Sequence, residues 1–210
     1  MAFWLVETKK QLNELINKGY KKAFVEVIPY NNNIHPAINE ISLIYFKPLN
    51  NKGYIISISH NESLSIEKQL VNTLFSNLDE LYVRDKKTFL YHFLMNKSYN
   101  VNSNYVNNIL NIYYDKYQNK HDINRIIPIV KFYEYYEDIY LHIDNLCTPN
   151  NSFLNQKQIP IFYLLESNGL KINQDEFNKN FKLQNPEYSI QNDIIYTQYN
   201  FNTTTGRPSN

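Results

Sequence analysis

A chain of 210 residues, 43% of them hydrophobic, can bury a core as one domain or as one domain with a small appendage. Its formal net charge of +1 excludes the strongly basic balance of a protein that coats nucleic acid, so any such contact has to come from a local patch. The single Cys147 excludes a disulfide framework and a cysteine metal site, no window reaches the roughly 20 apolar residues of a membrane span, and "MAFWLVETKK" lacks a signal-peptide core; a cytosolic (cytoplasmic) protein without a membrane partner is expected.

The abundant Tyr, Asn, Ile and Lys follow AT-rich coding DNA, and no function is read into them. Thr8 is placed to cap a first helix over "KKQLNELINK", with Leu12, Leu15 and Ile16 on one face and Gly19 as its stop. "KAFVEVI" (22–28) alternates as a strand, and "NEISLIYFKP" and "GYIISISH" supply two more, joined by the turn "LNNKG". The period then changes: "SIEKQLVNTLFSNL" reads as a helix capped by Ser65, with Leu70, Val71, Leu74 and Leu78 in its stripe. "ELYVRD" is a short strand, and Asp85 is placed to cap "KKTFLYHFLM". Two more helices are expected in "SNYVNNILNIYYDKY" and, behind a cap at Asp122, in "INRIIPIVKFYEYYEDIYLHI". "CTPNNS" (147–152) reads as a linker. Beyond it come a helix broken at Asn168-Gly169, a short extended piece, a helix capped near Asn173, and a closing strand in "NDIIYTQYNFN".

Three antiparallel strands, a helix and a fourth strand parallel to the first are the opening of the ribonuclease H-like fold, an α/β mixed sheet with flanking helices. The final "TTTGRPSN" resembles the Thr-Gly-Arg segment of family A DNA polymerases, where the thumb runs into the palm. "IPIFYLLESNGLKINQDEF" resembles that family's segment between exonuclease domain and thumb, and "FVEVIPYNNNIHPAINEISLIYF" resembles the first two strands of its 3′–5′ exonuclease domain. The resemblance implies an exonuclease-like domain over 1–143, and a thumb-like helical segment with the first strand of the palm over 144–210. It also implies that the polymerase aspartates and nucleotide-binding residues of palm and fingers lie outside this sequence. In the family, Mg²⁺ serves the complete enzyme, DNA primer-template is the partner, and other replication proteins assemble around it in phage or viral replication. Thr203, Thr204, Thr205 and Arg207 match the hydroxyls and Arg that touch the duplex.

The exonuclease chemistry of such a domain needs converging carboxylates that hold two divalent ions about 4 Å apart. The family's Asp-x-Glu falls on Glu26 and Ile28, so half of the pair is missing. The second acid falls near Leu90, and the nearest carboxylate, Asp85, sits about a turn too early. The third motif, Tyr-x-x-x-Asp, matches Tyr133 to Glu137, with Asp138 beside it. Glu26, Asp85, Glu137 and Asp138 are thus vestigial candidates, and a degenerate domain is expected, with no metal held by this fragment. Glu26 reads equally as an edge-strand charge, and "YEYYED" as a solvated helix face. The five histidines lack metal spacing, and there is no Gly-rich phosphate loop or nucleophile triad. Two rival functions stand beside this one: a working metal-dependent 3′–5′ DNA exonuclease with misaligned acids, and a non-catalytic module that holds a replication partner.

Overall fold

Every residue of "ISLIYFKP" and "YIIS" is buried, a largely apolar run where a half-solvated strand would alternate, because helices cover this part of the sheet on both faces. The computed structural model describes residues 4–31, 35–36, 38–83, 86–94, 109–111, 128–140, 162, 164–180, 189–197 and 199. In chain order the elements are β1 (Trp4–Val6), α1 (Lys9–Asn17), β2 (Lys22–Pro29), β3 (Ile41–Pro48), β4 (Tyr54–Ser57), α2 (Lys68–Ser76) and β5 (Glu80–Val83). They continue as α3 (Lys86–Leu94), β6 (Ile109–Asn111), α4 (Ile129–Tyr140), β7 (Leu170–Lys171), α5 (Gln174–Asn180), β8 (Ser189–Gln191) and β9 (Ile194–Tyr196).

The main sheet runs β1-β4-β3-β2-β5-β6. β3 is antiparallel to both β2 and β4, while β5 is parallel to β2 and β6 parallel to β5. With the added edge strand β1 set aside, the remaining five run third-second-first-fourth-fifth with only the second reversed, which is the ribonuclease H-like sheet. The expected antiparallel meander with 80–84 parallel to 22–28 is therefore present. One face packs Val25, Phe46 and Ile56 against Leu12 and Leu15 of α1, Phe75 of α2 and Phe93 of α3. The other packs Phe24, Ile28, Leu43, Tyr45 and Ile55 against Ile129, Phe132, Tyr133 and Tyr136 of α4, a stripe at helical spacing.

Local signals account for several boundaries. Thr8 caps α1 as expected: its hydroxyl accepts the Gln11 N–H at 3.3 Å and its own N–H donates to Gln11 Oε1 at 3.0 Å, a reciprocal capping box. Gly19, at φ 67°, supplies the left-handed residue that ends it. Asn173 Oδ1 accepts the Glu176 N–H at 3.3 Å and caps α5. Ser65 does not cap α2. Ile66 donates its N–H to the Ser57 carbonyl at 2.9 Å, which keeps the chain extended until Glu67, and the helix starts there without a side-chain cap. The helix expected across 103–117 is contradicted at Ile109–Asn111, which is a strand paired with Leu81–Val83. α4 begins at Ile129, after Pro128, well inside the expected helix, and the proposed cap Asp122 lies outside the described residues.

A second, small sheet, β7-β9-β8, follows the helical residues 164–168. The helix breaks where expected: Gly169 has φ 58°, and a Cβ there would run into Ile194 Cγ2 and lie 2.9 Å from the Ile195 carbonyl oxygen. The closing segment is a hairpin, with Asn192 and Asp193 both at positive φ in a two-residue turn.

Candidate active-site face of the sheet

Alternation along β2 sends Phe24, Glu26 and Ile28 to the face covered by α4. Glu26 is paired in register with Tyr45 and is only 8% exposed. β2 is an interior strand between β3 and β5, whose pairing with it covers Lys22–Phe24 and stops short of Glu26. Ile28, at the position of the second acid, is part of the apolar cluster under α4. Leu90, where the motif on α3 would place an aspartate, is buried in the core of the opposite face.

α4 lies over β3 and β4, with Tyr136 stacked on Tyr45 at 5.4 Å between ring centroids and Phe132 edge-on to His60 at 6.1 Å. One turn beyond Tyr133 sits Glu137, in the position of the third acid. Its Oε2 accepts the Tyr45 hydroxyl at 2.7 Å and the Gly53 N–H at 3.0 Å, and its Oε1 lies 3.3 Å from Lys47 Nζ. Lys47 also donates to the Asn51 carbonyl at 2.7 Å, and its side chain is 5% exposed. Burial, the Glu137 charge and a hydrogen bond to Glu137 push the Tyr133 hydroxyl above its usual range. Gly53 has no room for a side chain, since a Cβ would strike the Tyr45 ring. Glu137 is thus not part of a solvated face; its carboxylate ties α4 to β3 and to the turn before β4. Asp138 and Glu134 on the same helix are exposed.

The structure therefore brings Glu26 and Glu137 to one face of the sheet, as the sequence motifs imply, but surrounds Glu137 with protein donors from Tyr45, Lys47, Gly53 and Tyr133. Two magnesium ions need several hard oxygen ligands on a shared cavity wall. The residues present do not fit that requirement: Ile28 and Leu90 are apolar, and Glu137 is engaged with Lys47. Among the described residues no group of three or more His, Cys, Asp or Glu side chains is arranged to hold a metal. Asp85, Thr203, Thr204, Thr205 and Arg207 lie outside the described residues.

Sequence reasoning missed the partners of Glu137. The available signal was Lys47, a lysine inside an apolar strand, which stays charged there only with a buried counter-ion. It also missed a second polar cluster. Buried Glu166 accepts the Tyr91 hydroxyl and, at 2.6 Å, the Tyr199 N–H. His35 stacks on Tyr196 at 5.5 Å and has its Nε2 3.0 Å from the Thr197 carbonyl; that oxygen only accepts, so Nε2 carries the proton. This cluster fastens the segment 166–199 to α3 and to the loop after β2.

No family model matches the chain, and no curated protein matches it. Among solved structures it is similar to the Nibbler EXO domain of Aedes aegypti, at 14% identity over 65% of this chain and 56% of that one, with a TM-score of 0.37. It is also similar to the catalytic core of RRP6 from Trypanosoma brucei, in two structures 12% and 11% identical. Each of these covers 78% of this chain and 51% of the other, with a TM-score of 0.44. The chain spans little more than half the length of these matches. The fold is ribonuclease H-like. That assignment rests on strand order and direction rather than on the scores, and none of the neighbours' residues is carried over. Among the described residues no helix is long and apolar enough to cross a membrane.

Proposed function

We propose that this chain is the exonuclease-like and thumb-proximal part of a family A DNA polymerase of phage or viral type. In this reading residues 1–143 keep the exonuclease fold without its chemistry, and 144–210 lead through the thumb toward the palm and the primer-template. The observation that carries it is the engagement of Glu137. The third motif's carboxylate closes a structural tie to Lys47, Tyr45 and Gly53, and Ile28 and Leu90 take the place of other ligands. The polymerase part of the reading is supported by the resemblance of "TTTGRPSN" and of the "SNGLKIN" turn, whose Gly169 has the positive φ that a helix-ending turn requires.

Magnesium or manganese at millimolar concentration is expected to leave the unfolding temperature unchanged and to support no digestion of end-labelled single-stranded DNA. A rise of several degrees together with digestion, both abolished by Glu26→Ala, would establish the working exonuclease instead. For the polymerase reading, Arg207→Ala in the complete enzyme is expected to weaken primer-template binding by about 1–3 kcal/mol, the range for a hydrogen bond to a charged group. The loss should shrink as salt rises if the contact is to phosphate. Unchanged duplex affinity at low salt would remove Arg207 from the DNA path.

A further inference from the structure

We propose that Trp4 and Lys18, at the β1 edge of the sheet, form a contact for single-stranded nucleic acid, the indole stacking on an unpaired base while the ammonium meets the adjacent phosphate. Trp4 is the only tryptophan of the chain, and it is 57% exposed at the start of the outermost strand. Lys18, the residue that ends α1, has its Nζ 5.3 Å from the indole centroid and 5.0 Å from the Tyr54 ring, and donates to the Tyr54 hydroxyl at 2.7 Å. Tyr54 is itself buried, and its oxygen lies 3.2 Å from that of Tyr20. The ammonium is therefore held over one face of the indole by a rigid phenol instead of sweeping free on its stem, and little ordering entropy remains to be lost when a base takes the other face.

Lysines gather at this end of the sheet. β1, β4 and β2 run in the same direction, so their starts share one end of the sheet, and Lys18, Lys21, Lys22 and Lys52 gather there. Lys21 and Lys22 are paired with Asp79 and Glu80, at 3.9 Å and 2.9 Å. Among the described residues Lys18 and Lys52 have no carboxylate within salt-bridge distance, which leaves the cation at the exposed indole without an acidic partner.

A flat ring with a fixed cation at it suits a chain of alternating bases and phosphates, because every base has a face that can stack. The bases of a duplex are already stacked and cannot reach the indole. A protein partner would want a broader apolar patch, but among the described residues the other exposed large apolar side chains, Leu64, Val130, Leu164, Leu165 and Leu170, lie outside β1 and α1. Trp4 packs with Tyr54 on the α1 face, whereas Glu26 and Glu137 lie on the α4 face, so this contact is separate from the exonuclease-like face and does not depend on the polymerase reading.

Because Trp4 is the sole indole, its fluorescence reports the site in the whole chain. Titration with an oligothymidylate of about 20 nucleotides at low salt is expected to quench it saturably, with an affinity that falls as salt is added. A blunt duplex of the same length is expected to bind at least about tenfold more weakly. Lys18→Ala should weaken binding about fivefold or more by quenching. Trp4→Ala should weaken it about tenfold or more by anisotropy of a labelled oligothymidylate, Trp4→Phe less, and Lys171→Ala not at all. Circular dichroism melts establish that each variant is folded; should Trp4→Ala melt early, Lys18→Ala and Trp4→Phe decide. Absence of quenching, equal affinity for the duplex, variants that bind like the parent, or equal quenching by a poly-glutamate peptide would each overturn the proposal.

Discussion

Replacing Glu137 by Ala is expected to destabilise the protein by about 3–5 kcal/mol, the cost of leaving a buried ion without its partner. Several donors lose their acceptor at once: the hydroxyls of Tyr45 and Tyr133, the Gly53 N–H, and the Lys47 ammonium, which keeps the Asn51 carbonyl. The sign of the effect separates two histories of this residue. In a working two-metal site stripped of its ions, carboxylates crowd one another, and removing one relieves repulsion and stabilises the apo-protein. In a structural tie, removal exposes a stranded cation. Urea unfolding in the presence of a chelator measures the difference directly. Adding Lys47→Met to Glu137→Ala should recover most of the loss, because the unpaired charge is then gone and the methionine fills the same space. A neutral or stabilising Glu137→Ala would return Glu137 to the role of metal ligand.

The sheet was legible in the sequence where burial on both faces wrote itself into composition. β2, β3 and β4 are dense runs of Ile, Phe, Tyr and Val between turn residues, and no other local structure accommodates them. Where pairing partners decide, local pattern failed. Ile109–Asn111 sits in an Asn-rich stretch whose apolar residues fit a helical period, yet it becomes a strand because Leu81–Val83 offers it an edge. β1 is three residues long and ends just before a helix cap, too short to carry a period. The closing strand is present at Ile194–Tyr196 as expected, but its partner Ser189–Gln191 was not read, although Asn192-Asp193, two adjacent residues tolerant of positive φ, marks the reversal between them.

The candidate site divides along the same line. Ile28 in place of an acid is visible from the sequence alone, since it needs only the register of one strand. The engagement of Glu137 is not, because its partners Tyr45, Lys47 and Gly53 come from β3 and the turn before β4, far along the chain. Only the packing of α4 on the sheet brings them together. An alignment of motifs counts carboxylates; it does not show what each carboxylate already holds.

The second large effect is expected with pH, and it originates in His92. This imidazole on α3 is 2% exposed, and among the described residues its Nδ1 has no hydrogen-bond partner. Burial, followed by the positive field of Lys68 and by His35, lowers its pKa from 6.5 to about 3. Between those values the unfolded chain holds a proton that the folded chain refuses, so stability is complete above about pH 6.5 and falls as the pH drops toward 3. Each pH unit in that window costs about 1.4 kcal/mol, which is about 2 kcal/mol by pH 5 and more below it. Glu80 also loses stability in acid, because the Tyr82 hydroxyl and Lys22 hold its carboxyl below the usual carboxylate value of 4.5, but its contribution disappears only below that value. Above pH 4.5 the His92 window therefore stands clear of the Glu80 one. His92→Leu removes the titrating group and leaves no polar atom to satisfy, so at neutral pH it should cost little. Urea midpoints measured from about pH 7.5 to about pH 4.5 should fall steadily for the parent and stay nearly level for the variant. Parallel decline of the two would show that His92 carries its proton inside the fold, and that the acid sensitivity of this domain comes from its carboxylates instead.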